Sequence, residues 1–335
     1  MSKKRSYKEK RLKRKAKKKQ KVELLRTNEE ARYQHVQKLG QVLITKKWRE
    51  GKGKSRHQGK ESGDNYKYIT SEKAFRDISA VWRRFSQYAA ENSSGEDLDT
   101  LEDLMKYADD YIQQKIDEGL SAWTLTTYKA HLGKVFNVPT THFIATPSRE
   151  RKNAKRLRVT SVNDTHISKE KRDFFEKIGT ATGLRKQEMM KIKGTALYPK
   201  RAKNGLWYIC VSEGTKGRKI REKIPIMATS SKEEAEIIEY FQKAGRDYVF
   251  SGKNGTYRVP KKLDEHAHRA EYAKRVYLHY ERDLNKLNRK EKTYLRKELR
   301  GYVLDKQAEL KASKALGHNR EDEFRKSYAY LLVSR

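Results

Sequence analysis

Three stretches of the chain place apolar residues at helical spacing. In 71–91, Phe75, Ile78, Val81, Trp82 and Phe85 recur on one face, and in 98–118 Leu101, Leu104, Met105, Ala108 and Ile112 do the same. The acidic first turn of the second stretch suits the helix dipole. A third stretch covers 121–136, where Ser121 can cap a segment holding Leu125, Tyr128, Leu132 and Val135. Three such helices in close succession predict a small bundle. Further along the period changes to two. Trp207, Ile209 and Val211 alternate within 206–212, and Ile220, Ile224 and Ile226 share one face of 218–226. Gly and Lys between the two runs predict a turn and an antiparallel strand pair, with helices on either side. The expected fold class is α+β, mainly helical, with a helical bundle first and a small antiparallel sheet later.

The unpatterned stretches divide the chain. Residues 1–22 are almost entirely lysine and arginine with little to bury, so a disordered tail, helical only on phosphate, is expected. Residues 23–65 read as a linker or small N-terminal element. They hold a short helix and strand around 36–44, and then a Gly-, Lys-, Ser- and Asp-rich connection over 51–65. The bundle occupies 66–146, a basic interdomain linker 147–164, and the mixed domain 165–335. No internal repeat of useful length is present.

Charge sharpens this picture. The 335 residues include 79 Lys and Arg against 44 Asp and Glu, a formal net charge of +35. So large a surplus repels itself in the folded state and calls for a polyanionic partner, nucleic acid before an acidic membrane surface. No apolar run approaches the roughly 20 residues that span a bilayer, and no signal-peptide pattern follows the basic start. The one cysteine, Cys210, excludes an intrachain disulfide and a cysteine-based zinc site, and its place in a strand reads as core. Composition leaves a nucleic-acid-binding protein and a nucleic-acid enzyme about equally open.

The sharpest local signal is Ala181-Thr182-Gly183-Leu184-Arg185-Lys186-Gln187-Glu188, between two helical runs. Gly183 permits a tight entry into the second helix, with Arg185 in its first turn and Glu188 on the same side one turn later. An arginine steadied by a carboxylate can present its planar fork to a phosphate. An ordinary surface ion pair would have the same spacing and be worth less than about 1 kcal/mol.

This segment resembles the first box of tyrosine recombinases and integrases, A-T-G-L-R-x-x-E. The family's H-x-x-R box has its counterpart in His266-Ala267-His268-Arg269, and its L-G-H element, followed some ten residues later by Tyr, in Leu316-Gly317-His318 and Tyr328. The family's hairpin lysine matches Lys216 in Gly214-Thr215-Lys216-Gly217. All elements stand in the family's order. The resemblance covers 165–335 by motif, implying a catalytic domain, and 66–146 more loosely, implying a core-binding DNA-binding domain. It implies a site-specific recombinase that cuts and rejoins double-stranded DNA through a 3′-phosphotyrosyl bond. Tyr328 would be nucleophile; Arg185, Arg269 and His318 would stabilise the transition state, His266 would act as base and Lys216 as general acid, with Glu188 in support. No cofactor or metal is implied, because the phosphotyrosyl bond conserves the energy for rejoining. A homo-tetramer on two DNA sites, monomeric when free, in the prokaryotic cytoplasm is implied, with accessory DNA-bending or directionality proteins as further partners.

The residues alone leave alternatives at several positions. Phe324, Tyr328, Leu331 and Leu332 share a helical face, so Tyr328 also fits a core stripe, and Tyr330 is a rival nucleophile. Lys219 and Lys223 lie on the same hairpin as Lys216. His268 falls outside H-x-x-R and is expected to be a bystander. The interval from Arg269 to His318 is longer than in compact recombinases, and its charged stretch 281–300 predicts an extended helix pair. A non-catalytic DNA-binding regulator and a type IB topoisomerase-like relaxing enzyme remain as competing functions.

Overall fold

A computed structural model describes residues 2–95, 98–150, 164–216, 219–318, 320 and 322–333. The chain forms two compact units, 1–155 and 156–335, so the basic linker expected over 147–164 lies mostly outside the described residues.

Among its described residues the first unit contains helices and no strand. Helix α1 (Ser2–Thr27) replaces the expected disordered tail. Its sequence lacks Gly and Pro and is built from Lys, Arg, Gln, Ala and Glu, the residues with the best intrinsic helix propensity; near its end Leu25 is buried. Helix α2 (Glu29–Glu50) replaces the short helix and strand expected there. Val36, Gly40 and Ile44 are buried four residues apart, a helical face that outweighs the β-branched character of the run. The glycine-rich connection contains one further turn, α3 (Arg56–Glu61). Helices α4 (Glu72–Glu91), α5 (Leu101–Asp117) and α6 (Ala122–Phe136) agree with the periodicity to within three residues at each end. Ser71 and Ser121 cap α4 and α6, and Thr100 and Asp103 form a capping box on α5. Their apolar stripes meet around Trp82, fully buried between Phe85 (5.1 Å between ring centres) and Phe136 (5.7 Å). The indole N–H donates to the Gln37 carbonyl at 3.1 Å, which ties α4 to α2.

The second unit is mixed. In order it contains α7 (Lys169–Thr182), α8 (Lys186–Met189), β1 (Tyr208–Val211), β2 (Arg221–Pro225), α9 (Ser231–Ala244) and α10 (Glu265–Tyr280). After these come β3 (Lys292–Tyr294), β4 (Val303–Asp305), α11 (Lys306–Ala315), α12 (Asp322–Ser327) and α13 (Tyr330–Val333). Helix α10 is the axis of the core: Ala270, Tyr272, Ala273, Val276 and Tyr277 are fully buried between α7 and α11. The buried Tyr272 hydroxyl donates to the Pro225 carbonyl at 2.9 Å, fixing β2 against α10.

Two antiparallel pairs are present among the described residues, β1–β2 and β3–β4. The second stands where a helix pair was expected. Arg282 grips the buried Asp305 through two 2.8 Å hydrogen bonds and Glu291 through a third, which closes 281–305 into short turns and a hairpin. In the first pair, Ile209 faces Ile224 while Val211 faces Arg221. Two steps on β1 thus match three on β2, a bulge that leaves Lys223 at φ +48°. One extra residue reverses the side-chain parity upstream of it. Ile224 and Ile226 point inward as expected, but Ile220 is 60 % exposed and Arg221 is buried in its stead. Cys210 is half-buried rather than core.

Candidate active site

Helix α7 ends at Gly183, whose φ of +59° turns the chain sharply. Arg185 then stands at the N-cap of α8, one position before the first turn where the sequence placed it. Glu188 folds back on it. One carboxylate oxygen accepts the Arg185 guanidinium at 2.7 Å, and the other accepts the Arg185 backbone N–H at 2.8 Å. This is no surface ion pair, because the Glu188 side chain is fully buried. The same carboxylate also accepts from Arg221.

Arg269 is delivered from α10 and is 3 % exposed. Its guanidinium donates to the Gly183 carbonyl and, at 3.1 Å, to the Leu316 carbonyl. Arg185 donates to that same Leu316 carbonyl at 3.1 Å. Two arginines separated by 84 positions in sequence therefore meet on one oxygen, at the turn that carries His318. The His318 backbone N–H closes that turn on the Ser313 carbonyl at 2.9 Å. Burial, with Arg269, Arg185 and Arg221 adding to it against the opposing pull of Glu323, pushes the imidazole down to about 4. His318 is thus neutral at physiological pH and has a ring N–H to donate. Burial followed by Arg221 and Arg185 pushes Arg269 down to about 10, which leaves it cationic.

Tyr328 sits in the turn between α12 and α13 and is 5 % exposed, its backbone N–H bonded to the Phe324 carbonyl at 2.8 Å. It belongs to the apolar core, as the helical stripe predicts, and it is also among the groups whose charge acts on Arg269. Tyr330 is buried in α13. Lys216 is exposed in the turn after β1. That turn packs on the active-site helix: a Cβ on Gly214 would come within 2.2 Å of the Gln187 carbonyl. His266 is exposed in the first turn of α10, one turn before Arg269. The start of α10 is tied to α8 by the Lys186 backbone N–H, which donates to Glu265.

His268, next to His266, points elsewhere. It is 6 % exposed and lines a cavity of about 910 Å³ with Asp164, Glu176, Glu271, Arg172 and Arg275, a lining that includes none of Arg185, Arg221 and Arg269. Lys219 is exposed, and Lys223 occupies the bulge. The residue of this cluster that sequence reasoning missed is Arg221. Simple alternation gives the inward position to Ile220, and only the bulge at Lys223 reverses that assignment. Among the described residues no group of three or more His, Cys, Asp or Glu side chains could hold a metal ion. No helix among them is long and apolar enough to cross a membrane.

No protein-family model matches the chain, and no curated protein matches it. Among solved structures it is similar to XerH site-specific recombinase bound to palindromic difH substrate in a post-cleavage complex. That pair shares 12 % identity, with 92 % of this chain and 96 % of that one covered at a TM-score of 0.48. It is also similar to a fragment of the Tn1549 transposon integrase in complex with circular intermediate DNA, at 13 % identity, 89 % and 99 % coverage and a TM-score of 0.40.

Proposed function

We propose that this chain is a tyrosine-type site-specific recombinase that cleaves and rejoins double-stranded DNA. The observation that carries the reading is the meeting of Arg185 and Arg269 on the Leu316 carbonyl, with His318 in the same turn. A cluster with more guanidinium than carboxylate charge, preorganised by buried partners, is built for a phosphate whose negative charge grows in the transition state.

In the proposed reaction the Tyr328 Oη attacks the scissile phosphorus, forming a P–O bond as the bond to the 5′ oxygen breaks. The tyrosine proton passes to His266, and Lys216 supplies a proton to the departing 5′ oxygen. Arg185, Arg269 and the His318 N–H hold the non-bridging oxygens throughout. Attack by a 5′ hydroxyl on the 3′-phosphotyrosyl bond reverses each step and reseals DNA. Work of this kind pairs strands from two sites, so a tetramer on DNA assembled from free monomers belongs to the proposal, as do action on a mobile element in a prokaryotic cytoplasm and help from DNA-bending proteins.

The test is a nicked suicide duplex carrying a site that the protein itself selects from a random library. Wild-type protein should accumulate a covalent protein–DNA adduct, Tyr330→Phe should retain it and Tyr328→Phe should abolish it. An adduct that survives Tyr328→Phe would sink the nucleophile assignment. No adduct with any selected site would favour a DNA-binding regulator.

A further inference from the structure

We propose that Arg221 is a positioning residue of this cluster: it fixes Arg185 and the Leu316–His318 turn, and neutralises the Glu188 charge that would otherwise hold Arg185 back from phosphate. The inference rests on the phosphate-transfer reading of the site and adds to it a residue that none of the recognised motifs contains.

The geometry is that of a clamp. One guanidinium nitrogen of Arg221 donates to Glu188, and another donates to the Ala315 carbonyl at the end of α11. Arg221 therefore joins three pieces of chain: the Arg185–Glu188 box, the strand that follows the Lys216 turn, and the turn leading to His318. Gly317 makes room for it, since a Cβ there would lie 2.9 Å from the Arg221 Cδ. A larger residue between Leu316 and His318 would displace either the clamp or the turn.

The placement is expensive. Lys223 adopts a left-handed φ, which strains a non-glycine residue. Burying a guanidinium adds a desolvation penalty, and an apolar residue would hold the strand at lower cost. The Arg221 Nε is buried with no hydrogen-bond partner, a further penalty that packing alone does not require.

Charge supplies the rationale. Glu188 is shared by Arg185 and Arg221. Without Arg221, a fully buried carboxylate would face Arg185 as its one partner guanidinium and compete directly with phosphate for it. With Arg221, the three guanidiniums and one carboxylate carry a surplus of two positive charges, the complement of a phosphoryl group gaining negative charge.

The experiment compares Arg221→Met, Arg221→Lys and the double variant Arg221→Met/Glu188→Gln with wild type in the full chain. Three quantities are measured: DNA affinity, single-turnover cleavage of the suicide duplex at saturating protein, and the melting shift caused by inorganic phosphate. Arg221→Met should lose cleavage on the order of 10- to 100-fold, as loss of an outer-shell support does elsewhere, with affinity changed less than about threefold. Arg221→Lys should recover part of the rate. The double variant should cleave faster than Arg221→Met, because it removes the uncompensated carboxylate; a merely structural role predicts no such recovery.

Cleavage by Arg221→Met within about threefold of wild type would overturn the proposal, as would a double variant no faster than the single one. If Arg221→Met does not fold, Arg221→Lys and the double variant are read in its place, and wild-type rates in both would overturn it. The phosphate shift separates this inference from the functional reading. If wild type forms no adduct, the reading fails, yet a smaller phosphate-induced shift in the variants still supports the role of Arg221. Equal shifts would overturn it.

Discussion

Both units bury cations, and they bury them differently. In the first unit Lys47 donates to the Tyr66 carbonyl (3.2 Å) and the Asn137 side chain (2.8 Å), Lys129 to the Phe143 and Ile144 carbonyls, and Lys134 to the Asn65 and Tyr68 carbonyls. Each plugs the open carbonyls of a nearby connection, and burial first of all pushes Lys47 and Lys134 down to about 8. These cations serve the fold, and Lys47 and Lys134 can give up their protons. In the second unit Arg185, Arg221 and Arg269 converge on one another, and burial together with mutual repulsion lowers Arg269 to about 10 without discharging it. A fold gains nothing from gathering guanidiniums that repel; a phosphate-binding site does. The difference between dispersed, dischargeable lysines and convergent, permanently charged arginines separates scaffold from site.

The comparison breaks most visibly at Arg269. Replacing it with Met should lower single-turnover cleavage on the order of 10³-fold, the scale seen when a preorganised donor is removed from a transition state. Lys47→Met, an equally buried cation, should leave cleavage within about threefold. Comparable losses in the two variants would erase the distinction between the units.

Next in size is the loss of an apolar keystone. Trp82→Ala removes the largest fully buried side chain of the bundle and should cost about 3–5 kcal/mol. Hydrogen exchange resolves where that cost falls. Amides of α4, α5 and α6 should lose protection while those of α10 keep theirs. Equal loss in α10 would mean that the two units unfold as one.

The sequence made these two units unequally legible. The bundle could be read almost residue by residue, because Ile78, Val81, Trp82 and Phe85 obey one period and Ser71, Thr100 and Ser121 mark the starts. Where the reading of this unit failed, the cause was a competing propensity: the β-branched run around 36–44 lies on a helix because its buried positions fall four apart. In the second unit the motifs named Arg185 and Arg269, which meet on the Leu316 carbonyl, His318 in the same turn, and Glu188, which holds Arg185 there, while Lys216 and His266 stand exposed and Tyr328 is buried in the core. Arg221 stayed hidden because a single bulged residue inverts the parity on which strand reading depends. The β3–β4 hairpin was misread as helix for a related reason. Its charged residues look like a solvated helical surface until Arg282 is seen to bind Asp305 and Glu291 across the chain. Long-range charge pairing leaves no local period to read.

The smallest predicted effect tests the protonation contrast itself. Lys47 binds its proton more weakly in the folded chain, at about 8, than in the unfolded chain, near the ordinary lysine value of 10.5. Below about pH 8 both states are charged and the burial penalty is constant. As pH rises above 8 the folded state sheds its proton first, the unfolded state holds more protons, and stability must increase. Between about pH 7.5 and 9 the first unit should therefore gain on the order of 1 kcal/mol from Lys47. Of the four tryptophans, Trp48, Trp82 and Trp123 lie in the first unit and Trp207 in the second. In a Trp207→Phe background, urea unfolding followed by indole emission reports the first unit alone. Adding Lys47→Met should flatten the rise with pH, and Lys134→Met should do so as well. A rise undiminished in both variants would show that their buried ammonium groups do not govern it, and these lysines of the scaffold would then be as permanently charged as the arginines of the site.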